Sequence, residues 1–513
     1  MTRRPPAHPT RVAVVDIGSN SSRVAVLRLG PEGGLRVVAG TRAPLRLVRD
    51  VDSRHRFTEG AIERAVTALR DFRAIALGAG AERILAVATA AVRDAENGPA
   101  LIARIRRETG IQIRIIPAGD EALYGFLGAV SGLPVTHGLA FDLGGGSMQI
   151  ARFRKRRLVS SASVPLGSLR LSDRFLESDP PTPRELSRLV DHVRRVLEKA
   201  RIPALERGGV LVGTGGTLRN LARIDRRKRQ YPIPRLHGYT IPRRAIREIA
   251  ALVASRRARK RQQVPGLSDE RSDSIVGGAL AVLTLMEFVG AKAVRVSGRG
   301  VREGMALSLV SRELPEPAAL RRASISTLTA AFSEWDSATA SRRQAVAREL
   351  LRTLEPRATG EIREALDQAA MVLDVGRSID FFNRHDHVAD IVVATDLEGF
   401  SHRQIALLSA LVRRAGNRGA RAAAYAPLLG PEDDAALERA AVVLAVADDI
   451  EERCPRGKPV RLRCTLGRGE LRVAVSALLA WRRRPIDARF EKAFGRSLTV
   501  SPGAGRSRRY RRT

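Results

Sequence analysis

Cysteine, aromatic side chains and long apolar runs are all scarce in this sequence, and each scarcity excludes something. Two cysteines, Cys454 and Cys464, among 513 residues give neither a disulfide framework nor a Cys-x-x-Cys metal knuckle, and they suit a reducing compartment. Aromatics make up 4%, and no basic segment is interleaved with them as a base-stacking platform requires. Nucleic acid is therefore not an expected partner. No apolar run approaches the ~18 residues of a membrane span, and the best candidate, 279–289, is broken by Glu287. After the basic residues 1–10, the apolar stretch covers only 12–15 before Asp16 interrupts it, too short for a secretory core. The expectation is a soluble, cytoplasmic chain without membrane contacts.

Positive charge is what the sequence has in excess: 89 Lys and Arg against 54 Asp and Glu, a formal net charge of +35. Such an excess implies a polyanionic partner, or else arginine simply spread over solvated faces. Both readings stay open on charge alone, although residues 152–157, 226–229, 256–261 and the tail 506–512 form clusters. At 44% hydrophobic residues there is apolar material for several cores, and 513 residues is about three domain lengths.

The pattern along the chain is α/β. Short β-branched runs at 11–15, 23–29, 35–39, 84–88 and 111–116 alternate with helical periodicity at 61–77, 101–108 and 121–130. A second cycle has strands at 139–141, 148–153, 210–212 and 293–296. Thr182-Pro183-Arg184-Glu185 reads as a helix start, with a Thr cap, Pro in the first turn and Glu three residues on. The repetition predicts two similar lobes with a cleft between them. Past 314 the character becomes helical, with late strands expected at 440–447 and 460–465. The expected division is a flexible N-terminus 1–10, lobes 11–135 and 136–313, a helical domain 314–500 and a basic flexible tail 501–513.

Four Gly-rich turns carry the chemistry. The first, Asp16-Ile17-Gly18-Ser19-Asn20-Ser21, follows a strand. So does the second, Asp142-Leu143-Gly144-Gly145-Gly146-Ser147. The third is Gly213-Thr214-Gly215-Gly216-Thr217 and the fourth Ser297-Gly298-Arg299-Gly300. Glycine lets backbone amides approach an anion closely, and concave arrays of amides bind phosphate. Gly18, Ser19, Asn20, Ser21, Gly144, Gly145, Gly146, Ser147, Gly215, Gly216 and Thr217 are the candidate phosphate-binding residues. A carboxylate beside a phosphate is repulsive unless a cation lies between them. Asp16 and Asp142 thus point to Mg²⁺, with Mn²⁺ as the substitute; the alternative is that each caps its own turn.

The first two turns, with Ala88 to Asn97, Gly119-Asp120-Glu121-Ala122, Glu270-Arg271-Ser272-Asp273 and Val301-Arg302-Glu303-Gly304, make the chain resemble the exopolyphosphatase / guanosine-pentaphosphate phosphatase (Ppx/GppA) family. That family belongs to the actin, sugar-kinase and heat-shock ATPase superfamily. The matches keep the family's order over residues 11 to about 310. The resemblance implies two ribonuclease H-like (actin-like ATPase) lobes followed by a mainly helical, HD-like C-terminal domain. It also implies hydrolysis of the terminal phosphate of inorganic polyphosphate, or of guanosine pentaphosphate, by metal-assisted attack of water. Glu121 falls where the family has its catalytic glutamate, and Arg93 where it has a phosphate-contacting arginine. A homodimer is expected. The competing readings are a kinase of the same superfamily, a member that only binds or senses polyanions, and a nucleic-acid-binding module.

Two departures from the family pattern stand out. Gln149 replaces an acid two residues past Ser147. In the HD echo (Leu373-Asp374, Arg384-His385-Asp386-His387 and Asp396 to Arg403) Leu373 occupies a histidine position, which predicts an incomplete second metal set.

Overall fold

Residues 11–17 alternate Val, Ala and Ile around Asp16, and the resulting strand buries side chains on both faces. The computed structural model describes residues 11–30, 34–417, 423–482 and 485–503. The expected flexible N-terminus 1–10, and the part of the expected tail from 504 onward, lie outside these residues. Ser501 and Pro502 end a strand. Contacts divide the chain into Met1–Tyr231 with Arg235–Leu320, and Arg321–Thr513 with Pro232–Pro234. Each unit is taken by itself.

The first unit holds two mixed sheets. One runs β3-β2-β1-β4-β5, from β1 (Arg11–Ile17), β2 (Ser22–Leu29), β3 (Leu35–Ala43), β4 (Arg83–Ala88) and β5 (Ile113–Ile115). The other runs β10-β11-β9-β6-β7-β8, from β6 (Gly138–Leu143), β7 (Met148–Arg154), β8 (Arg157–Val164), β9 (Val210–Thr214), β10 (Thr240–Pro242) and β11 (Ala293–Val296). Apart from the edge strand β10, the two sheets share one plan. Three antiparallel strands come first in sequence, then two more strands join parallel to the first. Asp16 and Asp142 occupy equivalent places in it. Asp16 lies opposite Arg23, and Asp142 opposite Gln149.

Period-two alternation decides which core each residue enters. Ala13, Val15 and Ile17 face one core with Phe72 and Leu69 of the helix Glu59–Gly78. Val12 and Val14 face another, where Phe126, Leu127 and Val130 of the helix Ala118–Ser131 meet Ala140, Phe153 and Val212 of the second sheet. That layer, completed by the helix Val301–Ser308, lies between the two sheets and fixes the ends of β1 and β6 relative to each other.

The expected helix start at Thr182 is present as a capping box: Thr182 Oγ1 accepts from the Glu185 amide, and the Glu185 carboxylate accepts from the Thr182 amide. β8 was not anticipated; its RLVSSASV sequence carries little apolar signal and most of it is exposed.

The second unit contains the helices Ser337–Leu354, Gly360–Val372, Arg384–Ala394, His402–Ala415 and Pro431–Glu451, with a three-stranded sheet of β12 (Leu462–Leu466), β13 (Glu470–Val475) and β14 (Ser497–Pro502). The strand expected at 440–447 is helical. Its run of Ala, Val and Leu is buried on all sides, and a continuous apolar run has no period that tells strand from buried helix. Pro431 at the first turn and Asp433 accepting from the Gly430 amide are the signals that favoured helix.

In the place of the HD echo, the guanidinium of Arg343, fully buried, lies between two carboxylates. Its Nη2 is 2.5 Å from Asp374 Oδ2, and its Nε is 2.7 Å from Asp448 Oδ1. Arg377 pairs with the other oxygen of Asp374 at 2.7 Å, and Arg384 with that of Asp448 at 2.6 Å. Asp386 pairs with Arg413 at 2.6 Å.

Candidate active site

Glu121 stands in the first turn of the helix Ala118–Ser131, on which Pro117 precedes the first residue and the Glu121 amide bonds the Pro117 carbonyl. The far end of that helix is tied down by Arg156. Its guanidinium, 1% exposed, donates to the carbonyls of Ser131, Leu133 and Val135 at 2.7–2.8 Å, a cation set against the negative end of the helix dipole. Arg156 came from one of the basic clusters of the sequence, and it serves this helix rather than solvent.

The four Gly-rich turns converge on one cavity. It is lined by Asp16, Gly18, Ser19, Asn20, Ser21, Glu121, Asp142, Gly144, Gly145, Ser147, Gly215 and Gly216, all singled out from the sequence. The first and second turns touch. A side-chain carbon on Gly145 would come within 2.6 Å of Asn20 Cβ, and one on Gly146 within 3.1 Å of Ser19 Oγ. The approach therefore requires bare backbone at 145 and 146. The carbonyls of Ser19 and Asn20 accept from the amides of Val48 and Arg46, and those of Gly144 and Gly145 from Ser168 and Leu169. Gly215 sits at φ +105° with Leu143 O and Asp142 Oδ1 where a Cβ would go. Only glycine fits there.

Three predicted residues do not line this cavity. Gly146 backs the contact between turns. Thr217 is fully buried, with its methyl against Gly278. Arg93, expected on phosphate, donates through Nη1 to the Ile116 carbonyl at 2.9 Å and to Glu121 Oε2 at 3.4 Å. It holds the glutamate rather than facing the cavity.

Four arginines line the cavity that sequence reasoning gave no role: Arg23, Arg219, Arg271 and Arg302. They come from four separate segments; Arg271 and Arg302 lie in stretches that carry the resemblance, while nothing local marks Arg23 or Arg219 among 89 basic residues. Only the spatial convergence does. Arg23 is pushed down to about 9, first by burial and then by Arg219, Arg302 and Arg271. Arg271 falls to about 10 through burial, Arg219 and Arg42. Arg219 is also lowered, by burial and then Arg302. Buried like charges that depress one another are a place prepared for an anion.

The carboxylates show the complementary strain. Burial raises Asp16 to about 6, against the pull of Arg302 and Arg23 and with the push of Asp142 and Glu303. Burial also raises Asp142. Glu121 is raised to about 7, chiefly by burial, with Arg93 opposing and Asp16 and Asp142 adding. Asp16 Oδ1 is buried without a hydrogen-bond partner, so this oxygen does not cap its turn. An orphaned carboxylate oxygen, with a second carboxylate in electrostatic range, fits Mg²⁺, which takes one or two carboxylates plus substrate oxygens rather than an all-protein cage. No group of three or more His, Cys, Asp or Glu able to hold a metal occurs among the described residues, in either unit.

Gln149, the departure from the family pattern, also lines the cavity. Its Nε2 donates to Ser147 Oγ at 2.8 Å. The hydroxyl lone pair is thereby occupied and its proton left to point at an anion; a carboxylate here would take that proton instead.

The model of the Ppx/GppA phosphatase family matches residues 26–313, and that of Ppx/GppA phosphatase domain III matches 320–448. Exopolyphosphatase 1 of Mycobacterium tuberculosis is 30% identical over 321 residues, 62% of this chain and 93% of the relative. Exopolyphosphatase 2 of the same organism is 33% identical over 316 residues, covering 58% and 98%. Among solved structures, the Aquifex aeolicus Ppx/GppA family member is 28% identical with a TM-score of 0.52, covering 59% of this chain and 97% of its own. An exopolyphosphatase from Cytophaga hutchinsonii is 25% identical with a TM-score of 0.54, covering 59% and 100%.

Proposed function

Since the chain belongs to the Ppx/GppA phosphatase family and is a hydrolase of phosphoric anhydrides, we propose that it is an exopolyphosphatase, removing orthophosphate from the end of inorganic polyphosphate. The observation that carries this reading is a buried glutamate at the edge of a small cavity walled by four arginines. The cavity, of about 110 Å³, is below the roughly 300 Å³ where pockets for drug-sized ligands begin. No aromatic side chain is among its described lining residues. Both facts favour a phosphoryl end group over a nucleoside.

In this mechanism Asn20, Ser147 and the amides of the first two turns hold the terminal phosphoryl oxygens, and the arginine wall offsets their charge. Glu121 takes a proton from water as the water oxygen bonds to the terminal phosphorus. The bridging P–O bond breaks and the shortened chain keeps the bridging oxygen. Arg93 positions Glu121. Asp16 and Asp142 are the residues that would hold Mg²⁺, which when bound screens phosphate charge. The accompanying fold reading is two ribonuclease H-like halves, supported by the shared strand plan of the two sheets. An HD-like origin for the second unit is supported by the buried Asp374 and Asp448.

The test is orthophosphate release from long-chain polyphosphate and from guanosine pentaphosphate at equal end concentration. Faster release from polyphosphate is expected, and the reverse order defeats the substrate assignment. Glu121→Gln should lower release by about 10²–10⁴-fold while polyphosphate still binds. Retained turnover would remove Glu121 from its role.

A further inference from the structure

Behind the arginine wall lies a second hollow, between β2 and β3 on one side and the helix Gly216–Lys228 on the other. Arg23, Arg219, Arg271 and Arg302 line it as well as the catalytic cavity, and Arg42 and Arg223 line it alone. The two hollows are therefore contiguous across one wall. Gly40 forms part of the floor, where a side chain would press within 2.8 Å of the Val24 carbonyl. Against six arginines, the only carboxylate among the described lining residues is Glu303. It is already engaged, accepting from the Gly300 amide at 2.7 Å and lying 3.6 Å from Arg302.

The Arg223 side chain has no hydrogen-bond or ion-pair partner among the described residues, and neither have those of Arg23 and Arg271. The Arg223 guanidinium is lowered by burial and then by Arg42, Arg226 and Arg227. Arg42 is exposed enough to pair with Glu270 at the rim. Arg223 and Arg42 are exposed, so the hollow opens to solvent at their end, and the six guanidinium groups around it repel one another until an anion is seated between them. A single phosphate could relieve the charge in one hollow only. An anion with charges repeated along a chain relieves both, and the groove, at about 650 Å³, has room for several phosphoryl groups where the catalytic cavity takes the end.

We infer that this groove is the subsite for the phosphoryl groups behind the chain end, and that Arg223 and Arg42 make the protein prefer long polyphosphate to short. The inference rests on the exopolyphosphatase reading of the adjoining cavity. It predicts that the affinity advantage of a long chain over tripolyphosphate resides largely in two residues remote from Glu121.

The experiment compares binding of long-chain polyphosphate and tripolyphosphate to the full-length wild type, Arg223→Ala and the Arg42→Ala/Arg223→Ala pair by calorimetric titration at fixed salt. The long-to-short affinity ratio should fall roughly tenfold in the pair and less in the single variant, the scale of losing charge-assisted phosphate contacts. A ratio within twofold of wild type in a folded pair overturns the inference. So does loss of single-stranded RNA binding with the polyphosphate ratio intact. Orthophosphate release by the wild type, measured in parallel, reports on the hydrolase reading separately: binding decides the groove whether or not turnover is seen.

Discussion

Glu121 is a base held back by its surroundings. Burial raises its carboxyl from the usual 4.5 to about 7, and the Arg93 guanidinium opposes the rise. Because the deprotonated form accepts the proton from water, kcat/KM should climb as pH rises through about 7 and level off above it. Arg93→Met removes the group that lowers this pKa, so the acid limb should move to higher pH; an unmoved limb would mean that Arg93 does not act through Glu121. The same shift has an opposite effect on stability. Between 4.5 and about 7 the folded state binds the proton more tightly than the unfolded chain, so this residue's contribution declines as pH rises through that window. Glu121 was legible in the sequence only through the resemblance, since an acid in a first helical turn is ordinary. The place of Arg93 was not legible, because the spacing of 93 and 121 says nothing about which face of the short helix Ala90–Asp94 meets the longer one.

At the scale of elements, the helix bearing Glu121 is seated by glycine. A Cβ on Gly128 would collide with the Gly300 carbonyl, and one on Gly304 with the Tyr124 carbonyl. The helices Ala118–Ser131 and Val301–Ser308 thus meet backbone to backbone, and this brings the fourth turn to the cavity. Gly128→Ala should force them apart, with an expected loss of about 1–3 kcal/mol by denaturant titration and a lower kcat. A stable variant with unchanged kcat would show that the seating does not govern the site. The strands and turns that end in Asp16 and Asp142 were readable because Gly, Asp and β-branched runs mark them locally. The segment 440–447 was misread because burial on every side erases periodicity, and β8 was missed because its pairing with β7, not its own composition, makes it a strand.

Over the whole molecule, the +35 charge divides into two kinds. Much of it is answered locally: Arg152 and Arg154 pair with Glu206, Arg157 with Glu313, and Arg261 turns inward to the carbonyls of Val253 and Arg256. Of the clusters visible in the sequence, 152–157 is largely of this kind. The arginines of the cavity and groove, among which the side chains of Arg23, Arg223 and Arg271 have no partner among the described residues, are dispersed in sequence, so no charge run marks them. Attraction of a polyanion to such a field weakens as salt shortens the Debye length from about 10 Å at 0.1 M to about 3 Å at 1 M. The KM for long-chain polyphosphate should therefore rise several-fold over that range with kcat little changed. A salt-independent KM would mean that short-range contacts alone hold the substrate.

The guanidinium of Arg343, lodged between Asp374 and Asp448, makes the second unit carry a counterion that no chelator can extract. Arg343→Met leaves two interior carboxylates short of a partner and should destabilise this unit by about 3–5 kcal/mol, read from its unfolding midpoint, with no rescue by added divalent ions. Rescue by such ions would mean that a dormant metal seat lies beneath the arginine. A covalently tethered cation of this sort cannot dissociate, so the integrity of this half of the chain is uncoupled from the ion supply of its surroundings.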